Sequence, residues 1–478
     1  MRLRWPTGVA QDEIELAAGA ARPIVELDRR GSSCPVLFAW DGSRYRFITD
    51  VLGAGVLGHW VAPGTRNVPD PTEYVKIEGF SPSLRNGLLS FQLMEPMEEV
   101  VYLDQVRLLA VDHPADTEVF PNEYFASNPP FPEFKVIASR GARPARVWDG
   151  NGADVTETLR SRDHRYVDKL ELLRFQGFVR PHTLEVDLGE PYTGGPLRLL
   201  WYGHIEYFTA TSMYAADQAG LQPLAPYVEA LNADGQWVRV LDDMGFPAGL
   251  PRTITVDLTG KLPPGARRLR VTTNLQIYWD QLLVDRTPEG EPVRVSEAAL
   301  TRAQLSFHGY PRTIEGATPG DLSYVYEQVS DSGPYARQLG AYTRLGDVRQ
   351  LLDASDNRFA IFGSGEGVTL EFDSASLPPL PSGWKRDYFF YADGYEKDMD
   401  FYAAEPLTVE PLPFRGMGVY PPTLPYPDTD TSLGYRLDNN SRFVGSQDPP
   451  AYRFRYGKTR RQFQGESLKP ETARPRAR

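Results

Sequence analysis

The sequence predicts an all-β protein made of several antiparallel β-sandwiches, and three observations carry that prediction. Glycine and proline stand at 42 each in 478 residues, a density that favours short strands joined by turns over long helices. Aromatic side chains, enriched in strands, make up 12% of the chain, led by 25 Tyr and 23 Phe. Short β-forming runs also recur at regular intervals between turn signals, the pattern of a sandwich. At this length one hydrophobic core is not enough, so about two to four domains are expected.

Taken in order, residues 1–30 hold two strand-like stretches, too few to bury a stable core alone. Residues 31–71 open with Cys34 to Asp50, a hairpin pattern around Asp41-Gly42, followed by a loop rich in glycine and proline. Gly53, Gly55 and Gly58 match G-x-G-x-x-G in spacing. No helix follows and Pro63 intervenes, so the βαβ frame of a nucleotide site is missing. Residues 72–166 are β-rich, with "LLSFQLM" and "VVYLDQVRLLAVDH" as the clearest strands. Residues 167–290 form the best-defined unit, a run of short strands with Asp234-Gly235 and Gly265 at turns. Residues 291–425 make a third β-rich region, in which "YTRLGDVRQLL" reads as a short helix and "RFAIFGSGEGVTLEF" as a hairpin. Residues 426–478 turn polar and basic, as a solvated, disordered tail does.

One internal echo stands out. Tyr102-Leu103-Asp104-Gln105 and Tyr278-Trp279-Asp280-Gln281 share the pattern Y-x-D-Q, and each follows a strand. This closing strand, with the progression at Trp237, Val256-Asp257-Leu258 and Leu269-Arg270-Val271, is similar to the last strands of galactose-binding-like jelly rolls. The resemblance implies a jelly-roll sandwich for residues 167–290. A wider resemblance rests on "LRWPTGVAQDEIELAAGAARPIVEL", "CPVLFAWDG", "DQVRLLAVDHPADTEVFPNE", "TNLQIYWDQ", "LPPLPSGWKRDYFFYADG" and "TVEPLPF". These runs resemble the C-terminal region of bacterial FG-GAP, ASPIC/UnbV (cartilage acidic protein-like) and tetratricopeptide-associated proteins. The likeness implies that residues 1–30 are the remnant of an ASPIC/UnbV module and that an upstream FG-GAP propeller is missing. It also implies an extracytoplasmic setting, although no signal peptide precedes the first strands.

Charge and composition exclude several classes. The net charge of -12 opposes a nucleic-acid partner, because phosphate binding needs a basic face. No apolar run approaches the roughly 20 residues of a membrane helix. Cys34 is the single cysteine, so neither an intrachain disulfide nor a thiolate cluster is available, and it reads as a buried apolar side chain. No nucleophile elbow or H-E-x-x-H motif occurs. The six histidines are scattered, and in Asp112-His113 and Asp163-His164 strand alternation would point the neighbours to opposite faces.

Two candidate sites remain, and the chain carries no other sign of a cofactor. Asp393, Glu396, Asp398 and Asp400 place hard oxygen ligands close together, as Ca²⁺ requires, but without the full EF-hand pattern. Sandwiches also bind glycans on aromatic platforms, which makes Trp201, Tyr207, Trp237, Tyr278 and Trp279, with Asp280, candidate ligand residues. Alternation predicts that one of Tyr278 and Trp279 faces inward and the other outward. The expectation is a non-catalytic binding or scaffolding protein that engages glycans or protein surfaces. The alternatives are a carbohydrate-active hydrolase using an Asp/Glu pair about 5 to 10 Å apart, or a structural extension packing on the absent propeller.

Overall fold

The computed structural model describes residues 34–445, Pro334 and Asp428 apart, and a few positions before Cys34. Beyond the short strand pair Arg2–Arg4 with Ala10–Asp12, the expected module remnant at 1–30 lies outside the described residues, as does the tail beyond residue 445. The described chain is all-β, with large antiparallel sheets.

One sandwich occupies residues 143–285. Its first sheet runs Arg143–Pro144, Ile277–Asp285, Arg198–Ile205, Arg252–Asp257. Its second runs Arg146–Asp149, Phe178–Asp187, Arg268–Leu275, Tyr227–Leu231, Trp237–Leu241. Leu199, Trp201, Ile254 and Leu282 of the first sheet meet Leu184, Val228, Leu269 and Val271 of the second in one core. The sandwich starts ahead of residue 167 because Arg143–Asp149 supplies an edge strand to both sheets.

The other main strands form one sheet in the order Tyr45–Asp50, Val36–Trp40, Leu88–Met94, Glu366–Asp373, Arg294–Phe307, Val100–Pro114, Trp384–Lys397, Thr72–Lys76. Arg294–Phe307 folds this sheet over on itself. Its first part pairs with Val100–Pro114 and its second with Glu366–Asp373. The fold encloses a second core, including Leu37, Phe91, Leu108, Phe372 and Phe390. The 143–285 sandwich is therefore an insertion between two halves of a larger one.

Strand for strand, the two units have the same neighbours. Tyr45–Asp50, Val36–Trp40, Leu88–Met94 and Glu366–Asp373 follow the order of Trp237–Leu241, Tyr227–Leu231, Arg268–Leu275 and Phe178–Asp187. Val100–Pro114, Trp384–Lys397 and Thr72–Lys76 likewise follow Ile277–Asp285, Arg198–Ile205 and Arg252–Asp257. Even the sequence repeats: Thr369-Leu370-Glu371-Phe372-Asp373 stands where Thr183-Leu184-Glu185-Val186-Asp187 does. The last Asp of each run accepts the backbone N–H two residues on, at 2.8 Å in both units. Only the segment order is rotated between the copies.

Three local expectations change. "YTRLGDVRQLL" contains a single 3-10 turn, Arg349–Leu351, because the chain is spent on a loop that the neighbouring sheet grips. Ala360–Gly363 and Glu366–Asp373 do not form a ladder with each other; the first joins Val100–Pro114 and the second joins Leu88–Met94 and Arg294–Phe307. The start of the expected tail carries regular structure: helix Asp430–Asn439 starts with a Thr429/Ser432 capping box, and Arg442–Val444 pairs with Gly340–Tyr342.

Candidate functional site

The Y-x-D-Q echo is a clasp. In each copy the strand register skips one residue, and the skipped residue is the aspartate: Asp104 opposite Asp393-Gly394, and Asp280 opposite Tyr202-Gly203. A β-bulge of this kind re-aims a side chain. Asp104 accepts the N–H of Asn357 at 3.0 Å, and Asp280 accepts those of Asp163 and His164 at 3.2 Å each. The following glutamine donates to the same loop: Gln105 Nε2 to the Asp353 carbonyl at 2.9 Å, Gln281 Nε2 to that of Arg160 at 3.1 Å. Asn357 and His164 share a left-handed backbone, φ 66° and 60°. A glycine faces each bulge because a Cβ on Gly394 or Gly203 would lie 2.4 Å from the carbonyl oxygen of Tyr102 or Tyr278.

The copies differ beside the clasp. In the larger unit Ser355, Asp393 and Asn357 hold positions that Arg162, Tyr202 and His164 hold in the inserted one. The first trio closes on itself. Ser355 Oγ donates to Asp393 at 2.7 Å and to Asp104 at 3.4 Å, and Arg415 pairs with Asp393. Burial pushes the Asp104 carboxyl up to about 7 and that of Asp70 to about 6.

Of the second trio, Arg162 and Tyr202 line a groove between the units. Arg162 lies over the Tyr202 ring at 4.4 Å, pairs with Glu78 of the larger unit and donates to Thr253 Oγ1 at 3.0 Å. His164, 67% exposed at its side chain, has Nδ1 3.6 Å from buried Asp321, whose carboxylate raises the imidazole pKa.

The groove walls are two equivalent edge strands, Thr72–Lys76 and Arg252–Asp257. Between them lies a partly open cavity of about 220 Å³, lined by Tyr74, Glu78, Glu123, Arg162, Tyr202 and Thr253 among others. Glu123 accepts the Tyr74 N–H at 3.0 Å; burial, then the charge of Asp70, pushes its pKa well above the ordinary carboxyl range. Arg252 forms the floor. Its guanidinium crosses into the larger unit to pair with Asp50 and Glu73, and burial lowers its pKa to about 10. A second cavity of about 230 Å³ adjoins the first and shares Lys76, Glu78, Gly79 and Arg162 with it.

The aromatic residues singled out in the sequence are not assembled into a platform. Trp201 and Trp279 meet edge-on in the sandwich core, ring centres 5.1 Å apart. Tyr278 lies on the opposite face but is buried too, stacked on His204 at 5.2 Å. Both rings of the Tyr278-Trp279 pair are thus covered, because the gripped loop and His204 cap the outer face. Tyr207 stacks on Phe208 at the sandwich end. Trp237 sits on the other sheet under Arg270, 4.5 Å away. Asp280 serves the clasp.

The acidic run is divided in the same way. Asp393 is held by Ser355, Tyr391 and Arg415. Glu396 faces Cys34, whose thiol lies 3.2 Å from Oε1. Asp398 accepts the Asp400 N–H at 3.1 Å. Asp400 in turn accepts Thr211 N–H and Oγ1–H at 3.1 and 2.6 Å, satisfying the open end of helix Ala210–Gln218. Among the described residues, no group of three His, Cys, Asp or Glu is disposed to hold a metal ion. The residues that sequence reading missed are Glu78, Glu123, Arg162 and Arg252. For Arg162 the available signal was a second repeat, Asp154-Val155…Leu159…Asp163-His164-Arg165-Tyr166 against Asp347-Val348…Leu352…Asp356-Asn357-Arg358-Phe359; Glu78, Glu123 and Arg252 lie outside it.

Fold and groove define an all-β protein of the sandwich class. No family model and no curated protein matches the chain. Among solved structures, the infectious bursal disease virus VP2 subviral particle is 7% identical, with 76% of this chain and 77% of that chain covered and a TM-score of 0.12. The structure of the Gx strain of the same virus is 8% identical, with 77% of each chain covered and a TM-score of 0.10. Likenesses at these scores carry no argument about fold or function.

Proposed function

We propose that this chain is a binding module whose ligand, a carbohydrate, lies in the groove between the two sandwiches. The observation that carries the reading is the Arg162–Tyr202–Glu78–Thr253 cluster. It places an aromatic ring beside paired donors and acceptors across two units, the mixture that orients sugar hydroxyls over an apolar ring face. The resemblance to exported ASPIC/UnbV-associated proteins supports an extracytoplasmic setting. A hydrolase reading rests on the presence of Glu78 and Glu123 in one cavity, with Glu123 poised to keep its proton. The docking reading predicts an exposed apolar patch near residues 1–60; among the described residues there, Met1 is exposed and the large apolar side chains of 34–60 are not.

The test is a glycan-array screen of the full chain with Tyr202→Ala and Trp237→Ala variants. Specific binding lost in Tyr202→Ala and kept in Trp237→Ala is the expected result. Binding that depends on Trp237 instead, or a blank array from folded protein, overturns the groove reading. Release of reducing ends from a bound glycan, abolished by Glu123→Gln, shows the hydrolase instead.

A further inference from the structure

The two adjoining cavities have different chemistry. The first exposes mainly apolar surface, with Tyr74 and Tyr202 in its wall, and its own guanidinium, Arg252, is already bound by Asp50 and Glu73. The second is cationic on balance: Lys76, Arg162 and Arg386 line it with Glu78 and Asp387. The paired acids do not cancel that balance. Arg386 shares its one buried carboxylate, Asp112, with a second guanidinium, that of Arg294. Lys76 is only 3.3 Å from Asp387, yet both side chains keep access to solvent, so an incoming anion can compete for the ammonium. A cationic lining in a chain of net charge -12 runs against the global field, and field focusing in a cleft favours an anionic ligand group there.

Length follows from continuity. The cavities, about 220 and 230 Å³, share the Glu78–Arg162 pair as a common wall, so one ligand unit does not fill both. Together with the groove reading, on which this inference rests, we propose that the ligand is an acidic oligosaccharide. A sugar ring packs in the first cavity at Tyr202, and a neighbouring uronate carboxylate lies in the second, between Lys76 and Arg386.

The experiment is calorimetric titration of the full chain with an oligogalacturonate tetramer, the corresponding dimer and a neutral xylan tetramer, at low and raised salt. The acidic tetramer should bind roughly tenfold more tightly than the neutral one and lose that margin as salt rises. The acidic dimer, which already supplies one ring and the neighbouring carboxylate, should keep most of that margin. Lys76→Gln should weaken the acidic tetramer about tenfold and leave the neutral one within about twofold, with Lys76→Arg restoring the margin. Unaltered melting of both variants confirms the fold. Equal or tighter binding of the neutral tetramer overturns the acidic ligand and leaves the groove reading standing. No binding of any glycan overturns both.

Discussion

The two clasps show one scaffold carrying two kinds of surface. In the larger unit, Ser355 bridges Asp104 and Asp393, and Arg415 pairs with Asp393. In the inserted unit the same positions carry Asp280, Arg162 and Tyr202, and Arg162 reaches across to Glu78. The aspartate, the glutamine and the bulge-facing glycine are common to both, because loop gripping and close backbone approach demand them. The neighbours differ because nothing in the clasp constrains them. The residues by which two otherwise matched units differ are therefore where a ligand site is to be sought, and here they line the groove.

The comparison breaks most severely at the junction. Arg252→Met leaves Asp50 and Glu73 buried with their shared guanidinium gone, a change expected to cost about 3–5 kcal/mol. Denaturant unfolding should then resolve two transitions, one per sandwich, where a single transition is expected of the parent chain. A single transition with an unchanged midpoint would mean that the units are not coupled through Arg252.

A smaller effect sharpens the likeness between the clasps. Asp104→Ala and Asp280→Ala each strip a buried acceptor from loop N–H groups and should each cost about 1–3 kcal/mol. Burial raises both clasp aspartates, and the pH dependence is tested at Asp104. Its folded-state pKa, about 7, lies above the ordinary 3.8 because of burial. The folded state therefore holds the extra proton, and its contribution is complete below about pH 4 and lost as pH rises to about 7. Asp104→Asn should flatten stability over that window, as chemical denaturation at stepped pH can show. An unchanged slope would show that Asp104 is ionised in the fold.

Much of this fold is written in local pattern. Turn residues, β-forming runs and the Tyr102/Tyr278 echo lead directly to strands and to a sandwich near 167–290. The second sandwich is hidden because its halves, 36–114 and 294–397, are separated by the insertion, and no periodicity reports a strand order that closes over such a gap. The site is less legible still. Trp201 and Trp279 have the composition of a platform, yet burial decides their role, and strand alternation cannot anticipate a loop that caps the outer face over Tyr278. Asp400 resembles a ligand until helix Ala210–Gln218 is seen to end on it. Glu78 and Arg162 are distant in sequence and meet only where two edge strands meet.

The central claim, that the ligand lies where the two copies meet, is tested most directly by hydrogen–deuterium exchange of the full chain with and without a bound glycan. The account predicts protection of 74–79, 160–164 and 251–253 together, with the Trp237–Leu241 edge unchanged. Protection confined to Trp237–Leu241, or to the Asp393–Asp400 run, would contradict it.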